Sequence, residues 1–160
     1  MVAVYSMAST KLESSGNSHP GASSMVSAVA FAGARDDDRA WLIKTFDGLA
    51  STALQTSTTR PADNAAGGIA WGYSYTMASL AEMLAATGDP KYAHMFIRIA
   101  DHVLAARDNL HNLRDEYRGT VNPAWGSSKY SNGKWHVWAV HTGMICEPLA
   151  RFAAVVRNNA

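Results

Sequence analysis

Tyr130, His136, His141, Arg118 and Asn122 fall within 24 residues of one another. Together they form a set of side chains able to move a proton and to balance the charge its departure leaves. A Tyr or His can take the proton from a carbon beside a carboxylate, and a neighbouring Arg, Asn or His can steady the enolate that develops, which is the chemistry of an elimination. Hydrolysis of a glycosidic bond needs instead two carboxyl groups flanking that bond. The acids nearest this set are Asp115, Glu116 and Glu147, with Glu82 further back. Adjacent Asp115 and Glu116 read as a solvated helix end. Glu147 precedes Pro148 in an otherwise apolar stretch, where a carboxylate is either desolvated and raised in pKa or paired with Arg151 one turn on. Tyr, His, Asn and Arg lie closer together than any pair of acids, which favours elimination over hydrolysis.

The same residues belong to an irregular segment, Tyr117 to His141, YRGTVNPAWGSSKYSNGKWHVWAVH, which holds three of the five tryptophans. Long loops without periodicity are uncommon in compact domains and often carry function. Ring faces interspersed with hydrogen-bonding groups suit a flat ligand such as a sugar. Trp71, Tyr73, Tyr75, Trp125, Trp135 and Trp138 are therefore expected substrate-binding residues alongside Tyr130. Each is also large enough to serve simply by packing the loop onto the helices. Trp125 and Trp71 each stand beside a glycine that leaves room for a ligand.

Helices must position this segment. Asp36 to Asp38 offer an N-cap and first-turn negative charge for a helix from about Arg39. Trp41, Leu42, Phe46, Leu49, Ala50, Ala53 and Leu54 recur through it at helical spacing. Gln55 to Gly68, with Pro61 and the Gly67-Gly68 pair, reads as a loop. A second helix runs from about Tyr73 to Thr87, and Gly88 is suited to close it with a positive φ. Asp89 then caps a third helix that opens on Pro90 and runs to about Arg107. So short a connection makes these two helices an antiparallel hairpin. Met144, Ile145, Leu149, Phe152, Val155 and Val156 mark a last helix that Pro148 should kink or split. His141 lies at its start, where the helix dipole favours neutral imidazole. The fold class is all-α, with about four main helices.

The Ser/Gly/Ala-rich residues 1–35 read as an N-terminal arm, in which Val2, Val4, Tyr5 and Met7 can pair as a short strand; residues 36–160 form the helical domain. At 160 residues, with 48% hydrophobic and 17% charged side chains, the chain has the composition of one globular domain. A net charge of +1, with Lys and Arg scattered, argues against nucleic acid or an anionic membrane as the main partner. No apolar run reaches transmembrane length. Met25 to Ala34 is short, apolar and ends in small residues, but only Lys11 precedes it as a basic residue, so a cytoplasmic location is the default expectation. The single Cys146 rules out an internal disulfide, and in the run MICEPL it reads as a small buried hydrophobe. His136 and His141 do not form a metal-binding H-E-x-x-H pattern, and no phosphate- or dinucleotide-binding glycine motif is present, so no metal or cofactor is expected.

Residues 70 to 108, AWGYSYTMASLAEMLAATGDPKYAHMFIRIADHVLAARD, resemble the helical-hairpin units of (α/α) toroid, or six-hairpin, carbohydrate-active proteins. The shared style is an aromatic-Gly opening, an apolar helix, a TGDP turn and a second helix with a charged tail. Residues 122 to 153, NPAWGSSKYSNGKWHVWAVHTGMICEPLARFA, are similar to a block that recurs in bacterial proteins of this type. The resemblance covers about half the chain and implies polysaccharide lyase or glycoside hydrolase activity on a poly- or oligosaccharide, or a non-catalytic module binding saccharide or protein. The catalytic set it implies is Tyr130, His141, Arg118 and Asn122, with Glu147 for the hydrolase alternative. A closed toroid needs many more helices than about four. The resemblance therefore implies either part of a larger chain or helix faces covered by a partner, a second copy included.

Overall fold

Amphipathic spacing and short punctuated connections give four α-helices in the computed structural model, which describes residues 35–59 and 62–159. The expected N-terminal arm up to Ala34, with the strand anticipated at Val2 to Met7 and the apolar run Met25 to Ala34, lies outside the described residues, as does Pro61. Helix α1 spans Asp36–Thr58, with the three aspartates in its first turn rather than ahead of it. It continues through residues expected to form a loop. Ala50, Leu54 and Ser57 are buried on its inner side, while Trp41, Leu42 and Leu49 remain exposed. Asp47 ties α1 to the rest by accepting from the Tyr92 hydroxyl at 2.8 Å and from Lys91 Nζ at 2.9 Å.

A π-turn, Ile69–Tyr73, leads directly into α2, Ser74–Thr87. Gly88 ends α2 with φ +68°, and its N–H closes on the Leu84 carbonyl. Asp89 then accepts from the Lys91 N–H at 2.9 Å, and α3, Pro90–Ala105, begins on Pro90. At Gly88, Asp89 and Pro90 the sequence punctuation and the hairpin agree, while α3 ends at Ala105, two residues short of the expected Arg107. Helix α4, Ala139–Asn159, runs through Pro148 without being split. Pro148 is fully buried.

Helix α2 sits at the centre, packed against α3 on one side and α4 on the other, and α1 packs mainly on α3. Met77, Leu80, Ala81, Tyr92, Phe96, Ile99, Val103 and Ile145 form the core. Phe96 and Phe152 stack at 4.0 Å between ring centroids and join α3 to α4. Cys146 is exposed, contrary to expectation. Its neighbour Ile145 takes the inward position, and one residue further along a helix turns the side chain by about 100°. Among the described residues the fold is all-α apart from a 3-10 turn, Asp108–Leu110, an isolated antiparallel bridge between Ser127 and His136, and a two-residue antiparallel ladder. The ladder pairs β1, Arg114–Asp115, with β2, Thr120–Val121. Among the described residues no helix is long and apolar enough to cross a membrane.

Candidate functional site

The chain between α3 and α4 is held down by buried polar side chains rather than by regular structure. Asp115 is fully buried and accepts from the N–H groups of Tyr117 (2.9 Å), Arg118 (3.0 Å) and Val137 (3.1 Å). Its carboxylate also lies 3.1 Å from His136 Nδ1 and 3.4 Å from Arg118 Nη1. Burial pushes this carboxyl up, but the hydrogen bonds from Val137, His136, Arg118 and Tyr117 outweigh it and hold the group well below the usual carboxylate range. Asp115 is thus no solvated helix end. Its donors lie up to 22 residues downstream, and one ionised group satisfies them together. Glu116 beside it is exposed and accepts the Trp135 N–H at 2.6 Å.

Asp108 makes a second anchor. It is also fully buried, and its Oδ2 accepts the Gly126 N–H at 2.9 Å. Burial raises this carboxyl, while Trp135 and the Gly126 N–H partly offset the rise. Oδ1 and the Trp135 indole N–H each lack a hydrogen bond of good geometry. Asn64 makes a third. Its Oδ1 accepts the Ala70 N–H at 3.1 Å, which fixes the amide so that Nδ2 faces the carbonyls of Trp125 (3.1 Å) and Gly126 (3.2 Å). The same Nδ2 lies 3.4 Å from His141 Nδ1. Because an amide NH₂ only donates, this contact favours the His141 tautomer with its proton on Nε2.

On these anchors the ring side chains form a continuous row of edge-to-face contacts. Trp71 meets His141 at 5.5 Å between centroids, and His141 meets Tyr130 at 5.9 Å. Tyr130 meets Trp138 at 6.5 Å, Trp138 meets His136 at 4.7 Å, and His136 meets Tyr117 at 4.9 Å. Edge-to-face pairs of this kind are favourable beyond the area they bury. Trp71, Tyr130 and Tyr117 are 38%, 52% and 58% exposed, so the row has an open side. The π-turn presents Trp71, whose indole packs over Gly67; a Cβ there would come within 2.7 Å of it. His141, on the first turn of α4, is buried beneath its neighbours, and that burial lowers its pKa. Burial thus favours the neutral imidazole, in the same direction as the helix start does. Lys129 stands over the Tyr130 ring at 5.3 Å and Lys134 over the Tyr117 ring at 5.4 Å.

The expected site residues divide into three groups. Tyr130, His141, Trp71 and Trp138 come together in the row, and Arg118 adjoins its Tyr117–His136 end through Asp115 and through the Val137 carbonyl at 3.3 Å. Trp125 and Trp135 serve the scaffold. Trp125 is 3% exposed, lies in the core and donates to the Val103 carbonyl at 2.8 Å, so it is no ligand platform. The glycine beside it makes room not for a ligand but for Trp135, whose indole would lie 2.6 Å (Cε2) and 2.7 Å (Cδ1) from a Cβ at position 126. Tyr73, Tyr75, Asn122 and Glu147 face elsewhere. Tyr73 donates to the Ser57 carbonyl at 3.4 Å. Tyr75 lines a crevice of about 50 Å³ with Phe46 and Ala50 between α1 and α2, well short of the roughly 300 Å³ at which ligand clefts begin. Asn122 donates to the Thr120 hydroxyl at 3.0 Å. Glu147 accepts from Arg151 Nε at 2.8 Å, and Arg151 also pairs with Glu82 of α2, so the carboxylate belongs to the seam between α2 and α4.

Asn64 and Asp108 had no signal in the sequence beyond their polarity. The ring contacts of Tyr117 were equally hidden. Gly126→Ala is expected to push Trp135 off its seat and lower stability by about 1–3 kcal/mol. Urea unfolding followed by tryptophan fluorescence measures this, and an unchanged midpoint would show that the indole can move at no cost. Comparisons with protein-family models, curated proteins and solved structures return no match to this chain.

Proposed function

We propose that this protein is carbohydrate-active, binding an acidic poly- or oligosaccharide along the ring row and cleaving it as a polysaccharide lyase. The observation that carries this reading is the pairing of an open row of rings with cations. Trp71, Tyr130 and Tyr117 offer exposed ring surface, and Lys129, Lys134 and Arg118 stand along it. Rings take the apolar faces of sugar units and the cations meet carboxylates. In the elimination, the proton on C5 leaves to a base and its electron pair forms the C4=C5 double bond. The C4–O bond breaks with its electrons on the departing oxygen, which receives a proton. Tyr130 is the exposed proton-transfer group. Neutral His141 beneath it adds no charge that would compete for the substrate carboxylate, and Arg118 helps to balance the enolate.

The acids are engaged elsewhere, which weighs against a hydrolase. Asp108 and Asp115 are buried, Glu116 holds the Trp135 N–H, and Glu147 pairs with Arg151. Incubation with a panel of uronate-containing polysaccharides is expected to give the ultraviolet absorbance of the unsaturated product. New reducing ends without that absorbance would make the protein a hydrolase. Binding with no product would leave a saccharide-binding module.

A further inference from the structure

We propose that the flank of α1 turned towards α2 is a docking groove for this chain's own residues 25–34, MVSAVAFAGA, the apolar run just ahead of that helix. The groove shares no residue with the ring row, and its occupation does not depend on a saccharide.

Leu42, Phe46, Leu49 and Ala53 follow one another at helical spacing and form one stripe along α1. Leu42 and Leu49 are 44% and 52% exposed, while Phe46 and Ala53 are half-buried. The inner side of α1 is given mainly to α3, and little of the helix meets α2. Beside the stripe, the crevice of about 50 Å³ between α1 and α2 is lined by Phe46, Ala50, Ala53, Tyr75, Thr76 and Ser79. Thr76 Oγ1 donates to the Gly72 carbonyl at 3.3 Å, and Ser79 Oγ to the Tyr75 carbonyl at 2.8 Å. Both hydroxyl protons are thus spent on their own helix, and neither asks an occupant for an acceptor. The crevice is too small for a ligand but suits single apolar side chains, and the leucines extend it into an apolar patch.

The chain itself supplies an occupant of matching chemistry. Residues 25–34 hold Met25, Val26, Val29 and Phe31 and no charged side chain. They join α1 through Arg35, whose backbone is extended rather than helical (φ −63°, ψ 148°). Gly33, just before it, can take the dihedrals that a reversal of direction needs. The lengths agree. Leu42 lies about 10 Å along the helix from Arg35 and Leu49 about 21 Å, while the chain from Arg35 back to Phe31 spans up to about 13 Å and back to Val26 up to about 30 Å. A second copy would have to be recruited from solution, whereas this run is tethered beside the groove at a high effective concentration.

Cross-linking on the full chain tests this. Cys146→Ser removes the single native thiol, so an introduced pair can be followed alone. Ala30→Cys with Leu42→Cys spares Val29 and Phe31. With copper-phenanthroline as oxidant, it is expected to close a disulfide within one chain at least about tenfold faster than Ala30→Cys with Trp41→Cys. Trp41 is the neighbouring residue, turned about 100° round the helix, so the tether is the same and only the face differs. Adding Leu49→Asp, at an exposed position, should slow the first pair to the rate of the second with the circular dichroism unchanged. Equal rates for the two pairs would overturn the proposal, because they would report the tether alone. A first pair indifferent to Leu49→Asp would overturn it too. Disulfide-linked dimers in place of the bond within one chain would also overturn it, and would give the groove to a second copy.

Discussion

Asp115→Ala is expected to lower stability by about 3–5 kcal/mol, the usual consequence of removing one partner from a buried charged network. The substitution strands three backbone N–H groups, His136 Nδ1 and an arginine at once. Set against a typical total of about 5–15 kcal/mol, this is a large share of the fold. The loss should concentrate where those donors sit, so residues 115–118 and 136–137 should gain amide exchange before α2 and α3 do. Asp115→Asn separates charge from shape, because an amide fits the space but can accept through only one of its two ends.

The same residue governs the acid limb. Its folded pKa is depressed, so its contribution is fully present above the unfolded value of about 4 and is lost as pH falls from there towards the folded value. His141, also depressed, acts earlier. Below about pH 6.5 the unfolded imidazole takes a proton that the buried one resists, and stability falls with pH. Asp108 works in the opposite sense, since its raised folded pKa makes ionisation a cost that acid relieves. The difference between wild type and Asp115→Asn in urea midpoint against pH isolates the Asp115 share. That difference should shrink below pH 4. A constant gap across the acid range would mean that Asp115 gains nothing from its ionised form.

Tyr130→Phe is expected to remove at least about 100-fold of turnover, the range that a positioned proton-transfer group supplies. The substitution keeps the ring and with it the contacts to His141 and Trp138, and it leaves a surface for Lys129 to cover. Binding should therefore persist, so KM should stay within about threefold while kcat falls. Tyr130→Ala should damage both. If Tyr130→Phe raises KM and leaves kcat intact, the hydroxyl binds the saccharide and the proton transfer belongs elsewhere.

The α2–α3 hairpin was readable because its signals are local. Gly88, Asp89 and Pro90 each impose a backbone geometry or cap on their immediate neighbours, and no distant partner is needed to interpret them. The aromatic segment was readable as a region, since its lack of periodicity set it apart, but its internal division of labour was not. Trp125, Trp135 and Trp138 lie within 14 residues, yet one is core, one rests on Gly126 and one joins the ring row. What separates them is contact with Val103, Gly126 and His136, and sequence spacing does not encode those distances. Asp115 illustrates the same limit. Beside Glu116 it reads as surface charge, and only donors arriving from both sides of the loop bury it. Glu147 was readable to the extent that Arg151 stands one turn away, whereas the third member, Glu82, comes from α2. Asn64, in a polar stretch between helices, gives no hint that it holds two carbonyls and a histidine 77 residues on.

The proposed binding of an acidic saccharide along the ring row is open to direct observation. Titrating the ¹⁵N-labelled chain with a defined oligouronate and following backbone and indole resonances tests it most directly. Shifts that cluster on Trp71, Tyr117, Tyr130, His136 and Trp138, with Trp41 on α1 unmoved, are the result expected. Shifts confined to the α1 face, or none at saturating oligouronate, would contradict it.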